Sequence, residues 1–269
     1  HLSNGNYIKA EPLFHSCIEA WQRMETPPCN SMLRSLKTIG NLYESRGDYT
    51  KAENCFRLSL RVCESKLGAE HFLTMESLNA LGCLLIAIND PVEAETLFRR
   101  CLEVNERLLG AEHPSTLGSF NNLGVLLKRR RDYIKAETFF RRCLEASERR
   151  MGVEHPSTLA SVNNLGCLLA EKGDYAKAEP LFRRSSEVSE RRFGVEHPTT
   201  LTSVNNLGLL LYSKGEYAEA EQLFRFCLEL TEHRFGAEHL STLECVIDLA
   251  ELLVSKGHYS GAELLYRRC

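Results

Sequence analysis

The chain has 269 residues, with 33 basic and 36 acidic side chains and a net charge of −3. That balance supplies no global field for nucleic acid or for an anionic membrane surface. A hydrophobic share of 43% beside 26% charged residues is ordinary for a soluble protein, and no apolar run is long enough to span a bilayer, so nucleic-acid binding and direct membrane insertion are not expected.

One pattern organises everything else. Glu112-His113-Pro114-Ser115-Thr116-Leu117 returns at Glu154-His155-Pro156-Ser157-Thr158-Leu159 and at Glu196-His197-Pro198-Thr199-Thr200-Leu201, each step being 42 residues. A worn copy follows at Glu238-His239-Leu240-Ser241-Thr242-Leu243, and Glu70-His71-Phe72-Leu73-Thr74 precedes them. A fixed period of this size without insertions is the signature of a repeat solenoid, in which each unit packs only on its neighbours. The expected organisation is therefore one array over residues 1–269. It has a half repeat at 1–28, full repeats at 29–70, 71–112, 113–154, 155–196 and 197–238, and a truncated repeat at 239–269.

Taken in chain order, residues 1–28 read as a lone second helix, with Ala10, Leu13, Phe14, Cys17, Ile18 and Trp21 on one apolar face. Since that face has no first-helix partner and the last helix stops early at Cys269, the chain is expected to be a piece of a longer solenoid. Repeat 29–70 brings Arg34, Lys37, Gly40 and Asn41 on its first helix, then Ala52 and Phe56 on its second. Repeat 71–112 is the least regular. There Asn89-Asp90-Pro91 stands for Gly-Asp-Tyr, Ala80 stands where later repeats carry asparagine, and Ile86-Ala87-Ile88 is unusually apolar.

Repeat 113–154 shows the unit most plainly. Pro114 suits a first helical turn, and Leu117, Phe120, Leu123, Gly124 and Leu127 form an apolar stripe. Arg131-Asp132 turns the chain where other repeats use Gly47, Gly173, Gly215 and Gly257. Asp132, with Asp48, Asp90 and Asp174, is placed to cap the next helix. That helix carries Ala136, Phe139, Phe140, Cys143, Leu144 and Ser147 at helical spacing, and Gly152 ends it where a left-handed cap is expected. Small residues recur inside the first helix (Gly40, Gly82, Gly124, Gly166, Gly208, Ala250), which implies the near approach of another backbone. The matching second-helix phenylalanines, Phe56 through Phe224, are expected to fill between hairpins. In repeat 155–196 a proline, Pro180, falls within a second helix and predicts a small distortion.

These columns carry a family likeness. Leu123-Gly124, Ala136 and Phe140 fall at the spacings of the tetratricopeptide repeat. The 42-residue period with Asn-Asn-Leu-Gly, Tyr-x-Lys-Ala-Glu and Glu-His-Pro resembles the kinesin light chain and nephrocystin-3 branch of that family. The resemblance implies an all-α, right-handed superhelical solenoid of antiparallel helix pairs. It also implies a concave groove where paired asparagines bond the backbone of an extended peptide.

The groove columns here are Asn79, Asn121, Asn163 and Asn205, then Asn122, Asn164 and Asn206, joined by Lys37, Asn41 and Lys128. A carboxamide offers both donor and acceptor to a peptide unit. The same amides could instead bond neighbouring helices, and both roles are open. A carboxylate clamp does not fit, because Ala80 and Gly118 stand where it needs polar or basic residues. One histidine per repeat makes a ladder rather than a convergent metal site, so His71, His113, His155, His197 and His239 read as residues that start helices. Arg99-Arg100, Arg141-Arg142 and Arg183-Arg184, four residues before Glu103, Glu145 and Glu187, read as an outer face with i, i+4 pairs.

The 11 cysteines read as small buried thiols. Members of the column Cys17, Cys101, Cys143, Cys227 and Cys269 sit a helix spacing of roughly 8–10 Å or more apart, beyond the ~7 Å a disulfide tolerates. No phosphate loop, nucleophile elbow or paired acid outside a repeat column is present, so no enzyme, cofactor or metal is expected. The expected function is a protein–protein scaffold or adaptor holding a partner segment in the groove, in the cytoplasm or another reducing compartment, with the cytoskeleton or cilium open. A structural subunit working through its outer face, and a sensor or cargo module of a larger motor or signalling protein, are the alternatives.

Overall fold

The computed structural model describes residues 30–268. The half repeat at 1–28, with Ala10, Pro12, Phe14 and Cys17, lies outside the described residues, as does Cys269. Among the described residues there are twelve helices and no strand. They are α1 (Asn30–Ser45), α2 (Tyr49–Leu67), α3 (Phe72–Ala87), α4 (Pro91–Leu109), α5 (Pro114–Arg129) and α6 (Tyr133–Met151). The others are α7 (Pro156–Glu171), α8 (Tyr175–Phe193), α9 (Pro198–Lys214), α10 (Tyr217–Phe235), α11 (Leu240–Ser255) and α12 (Tyr259–Tyr266). Odd-numbered helices are the first of each pair. The described residues form two compact units, divided between Leu84 and Leu85 inside α3. In the first, α1 packs on α2; in the second, each helix from α4 to α12 packs on the next, and α7, α9 and α11 touch in succession.

The helix starts are cut by two kinds of cap. Asp48, Asp90 and Asp132 accept a bond from the backbone N–H three residues on, at 3.2–3.3 Å. Asp174 holds the same position but makes no side-chain cap bond; its carboxylate takes the Lys177 ammonium at 2.7 Å instead. Histidine caps the first helices, Nδ1 of His113 accepting from Ser115 N–H at 3.2 Å, with His71, His155, His197 and His239 alike. Just before each, glycine closes the second helix. Gly152 has φ 85° and ψ 167°, which is not the left-handed helical geometry expected of it but an extended positive-φ region open essentially to glycine alone. Its carbonyl accepts the Thr158 hydroxyl at 2.8 Å, and Gly68, Gly110, Gly194 and Gly236 repeat the arrangement.

The irregular repeat keeps the common geometry. α3 and α4 have 16 and 19 residues, as α5 and α6 do, and Asn89 takes φ 64° where glycine stands elsewhere. Asparagine tolerates that region, whereas Arg131 at φ 60° is the more strained substitute. Helix α8 runs through Pro180 at the same 19 residues.

The core is built on a ring seated over a glycine. A Cβ placed on Gly124 would lie 2.6 Å from Phe140 Cε1. On Gly40, Gly166 and Gly208 it would lie 2.5, 2.7 and 2.7 Å from Phe56, Phe182 and Phe224. The near neighbour is thus a side chain of the hairpin's own second helix, not a backbone, and the ring closes each hairpin rather than only filling between hairpins. Beside it runs a seam of small polar groups linking a second helix to the next first helix. It comprises Ser59–Ser77 at 2.9 Å, Cys101–Ser119 at 3.5 Å, Cys143–Ser161 at 3.5 Å and Ser185–Ser203 at 2.8 Å. The seam cysteines are free, and burial pushes the Cys143 and Cys227 thiols up, so they stay protonated.

The outer face differs from the expected i, i+4 pairing. Arg141 bonds Glu137, four residues before it, at 2.7 Å, and Arg183 and Arg225 bond Glu179 and Glu221 in the same way. Glu103, Glu145 and Glu187 are exposed. Each inner glutamate also takes the lysine of the next repeat's turn, Lys172, Lys214 or Lys256, at 2.5–3.0 Å. A second ladder joins Arg142 to Glu106, Arg184 to Glu148 and Arg268 to Glu232. The second arginine of each pair therefore works between repeats, which helical spacing within one helix could not reveal.

Two predictions follow from this packing. Gly124→Ala should lower stability to urea by up to about 2 kcal/mol despite its better helix propensity, since overpacking costs about 1–3 kcal/mol and the gain is about 1 kcal/mol. Phe140→Leu should be less harmful in the Gly124→Ala background than alone, and equal effects in both would refute the ring–glycine contact. Arginine and lysine bonds hold Glu137, Glu179 and Glu221 below the ordinary glutamate range. Folding then favours their ionised form, so their contribution is present above about pH 4.3 and is lost as pH falls through the folded values. The urea midpoint should drop on acidification across that window, and less steeply in a Glu137→Gln/Glu179→Gln/Glu221→Gln variant.

Candidate functional site

The candidate site is the face of the first helices, whose outward columns carry the asparagines. In the second unit most of these amides are engaged with the first helix of the neighbouring repeat. Asn164 Nδ2 donates to Asn121 Oδ1 at 2.6 Å, Asn205 Nδ2 donates to Asp248 Oδ2 at 2.8 Å, and Asn163 Nδ2 donates to Ser203 Oγ at 3.1 Å. The bonds cross from one repeat to the next, because successive first helices lie side by side. Asn163 is buried, and the Oδ1 atoms of Asn163 and Asn205 are buried without a partner. Asn122 is half-buried on α5.

Asn206 is different. It is half-buried, takes no side-chain partner among the described residues, and lines two recesses at once. One, of about 260 Å³, is walled by Pro198, Leu201, Thr202, Asn205, Phe235 and Glu244. The other runs between α7 and α9 beside Cys167, Glu171 and Leu209. A carboxamide there can offer two donors and an acceptor to a peptide unit.

The basic residues are partly neutralised. Lys128 Nζ meets Glu171 at 2.6 Å across repeats. In the first unit Lys37 lies 3.6 Å from Glu76, Asn41 is exposed on α1, and Asn79 is half-buried on α3. The histidines are committed to their caps, and among the described residues no group of three or more His, Cys, Asp or Glu could hold a metal ion. Nor is any described helix long and apolar enough to cross a membrane.

Sequence reading missed two kinds of residue. Asn105 is buried on α4 and donates to Ser119 Oγ at 3.1 Å, in a second-helix column otherwise filled by Cys63, Ser147, Ser189 and Thr231. Asp248 continues the column Asn122, Asn164, Asn206; following that column one step past its last asparagine would have found it. Burial raises the Asp248 carboxyl, Asn205 opposes that, and Glu251 and Glu244 add to the rise.

The tetratricopeptide repeat profile matches residues 1–65, 31–107, 90–149, 115–191, 157–232 and 199–269. The chain belongs to the tetratricopeptide repeat family. No curated protein matches it. Among solved structures, the array is similar to the kinesin light chain TPR-like repeats of Podosopora anserina, at 23% identity and TM-score 0.67 over 79% of this chain and 99% of that one. It is also similar to BtubC from P. vanneervenii, at 20% identity and TM-score 0.64 over 82% and 87%. A third likeness is to NprR in complex with its cognate peptide NprX, at 13% identity and TM-score 0.62 over 97% and 72%. At these identities the likeness is one of fold.

The inter-repeat amides of this tetratricopeptide array give a stability prediction. Asn164→Ala leaves the Asn121 carbonyl without its donor and should cost about 1 kcal/mol. Asn121→Ala should add little on top, because the pair has already been broken; full additivity in urea melts would show that the two amides are independent.

Proposed function

We propose that the chain is a protein–protein interaction scaffold or adaptor, holding an extended partner segment along the face of its first helices through the segment's backbone. The observation that carries this reading is Asn206, a carboxamide without a partner among the described residues at the junction of two recesses. Membership of the tetratricopeptide family supports it. So does the peptide held in the NprR complex, where a similar fold accommodates one.

Within this reading the amides divide by role. Asn121, Asn163, Asn164 and Asn205 hold neighbouring first helices together, and Asn206, with Asn122 and Lys128, faces the segment. Leu209, exposed beside Asn206, gives the segment an apolar contact to set its register.

The test uses peptides selected by display on the full chain. Asn206→Ala should weaken their binding by about tenfold, the worth of one or two well-formed bonds, while leaving the melting temperature within a degree or so. A lowered melting temperature with unchanged affinity would make the amide structural and remove the reading.

A further inference from the structure

Among the described residues five seams join a second helix to the first helix that follows it, and in each the facing columns lie eighteen positions apart. Four of them carry a hydroxyl on at least one side. These are Ser59 with Ser77, Cys101 with Ser119, Cys143 with Ser161 and Ser185 with Ser203, whose side-chain atoms meet at 2.8–3.5 Å. The fifth, where α10 packs on α11, sets Cys227 opposite Cys245. It is the only seam among the described residues with a thiol on both sides, and both thiols are free. They lie close enough that the charge of Cys245 opposes ionisation of Cys227.

Packing does not ask for this pair, because Ser185 and Ser203 fill the same seam one repeat earlier with two hydroxyls. The two thiols differ in access. Cys227 is wholly buried, its Sγ donating weakly to the Leu201 carbonyl at 3.8 Å. Cys245 is 5% exposed and lines the recess of about 260 Å³ beside Thr231 and Phe235, which is roomy enough for molecules the size of water. Burial raises both thiols, Cys227 the further and Cys245 to about 11, with the Thr231 hydroxyl opposing the rise at Cys245. The more accessible sulfur is therefore also the one that ionises more readily.

We propose that Cys227 and Cys245 are a dithiol that a peroxide converts to a disulfide, tying α10 to α11 in the wall of the recess. The Cys245 thiolate attacks one peroxide oxygen and the O–O bond breaks. Cys245 becomes a sulfenic acid, and the departing hydroxide takes up the proton the thiol gave up, forming water. The Cys227 sulfur then attacks the Cys245 sulfur, the S–O bond breaks, and the hydroxyl leaves with the Cys227 proton as a second water. The two thiols lose two electrons and two protons, and the peroxide is reduced to two waters. A disulfide sets its sulfurs about 2 Å apart, a gap that rotation of two facing side chains closes. Since little thiolate is present at neutral pH, the pair answers sustained peroxide rather than a brief pulse. The site stands apart from the groove reading and does not depend on it.

Treating the full chain with hydrogen peroxide at mildly alkaline pH, then alkylating and digesting it with trypsin, tests this, since cleavage after Arg234 separates the two cysteines. Peptides joined through Cys227 and Cys245 should appear, vanish with dithiothreitol and be absent from a Cys227→Ser variant. The oxidised chain should melt a few degrees higher, because the cross-link constrains the unfolded state. Cys227→Ser restores the serine of other seams, so it should melt near the reduced wild type with or without peroxide. Formation of the joined peptides should still speed up between about pH 9 and 10, where an ordinary thiol of pKa about 8.5 is already largely ionised. Cys245 carried on to sulfinic acid without joined peptides, or joined to a different cysteine, would overturn the pairing. So would a rate that levels off across that window, because the thiols would then be reacting from the unfolded chain.

Discussion

The structure depends on one contact repeated down the chain, a phenyl ring laid over a glycine. Phe56, Phe140, Phe182 and Phe224 are almost wholly buried, each against the glycine sixteen positions earlier. Glycine is a poor helix former, costing about 1 kcal/mol against alanine. The array accepts that cost because the missing Cβ lets two long helices close on an aromatic ring. The last hairpin relaxes the rule: Ala250 takes the glycine's place, and Tyr266, in the ring's place, is 44% exposed. Where the ring is not driven inward, the glycine is not needed.

Once the hairpins close, their faces are sorted by what each must meet. The seam between a second helix and the next first helix carries Ser and Cys, small enough to pack and polar enough to bond across. The outer face is knitted by glutamates that serve two cations each, one on the same helix and one in the following turn. The first-helix face bonds Asn164 to Asn121, Asn163 to Ser203 and Asn205 to Asp248 between repeats, and leaves Asn206 over. Asn206 sets that face apart from the outer one, where Glu137, Glu179 and Glu221 each hold two cations.

Much of this was legible in the period alone. The 42-residue step locates the helices, and Ala136, Phe140, Leu123 and Gly124 appear in the core where the stripes put them. What was not legible concerns partners in three dimensions. Arg142 and Glu106 are a poor match as neighbours in sequence and meet only because repeats stack. The glycine column signals a close approach, but not whether a ring or a backbone makes it. Gly152 signals a helix end, but not the extended positive-φ geometry that follows from the Thr158 hydroxyl bonding its carbonyl. For the candidate site, the sequence shows which asparagines share a column. It does not show that Asn164 is engaged and Asn206 is not, since that depends on the depth of each and on the residue opposite.

The double-duty glutamates have a consequence for how such a chain changes length. Glu137 binds Lys172 across one boundary, and Glu179 binds Lys214 across the next, with the same chemistry and the same offset. The boundaries are therefore interchangeable: excising residues 155–196 as a block would bring Glu137 to Lys214 and rebuild an equivalent joint. Gain or loss of whole repeats by unequal recombination would leave this glutamate–lysine joint satisfied. A frame-preserving insertion of one residue would displace three sets of partners at once: the cap, the seam and the cation. Selection on this fold therefore acts in units of the repeat, and the face that binds can be lengthened or shortened without redesigning what holds it together.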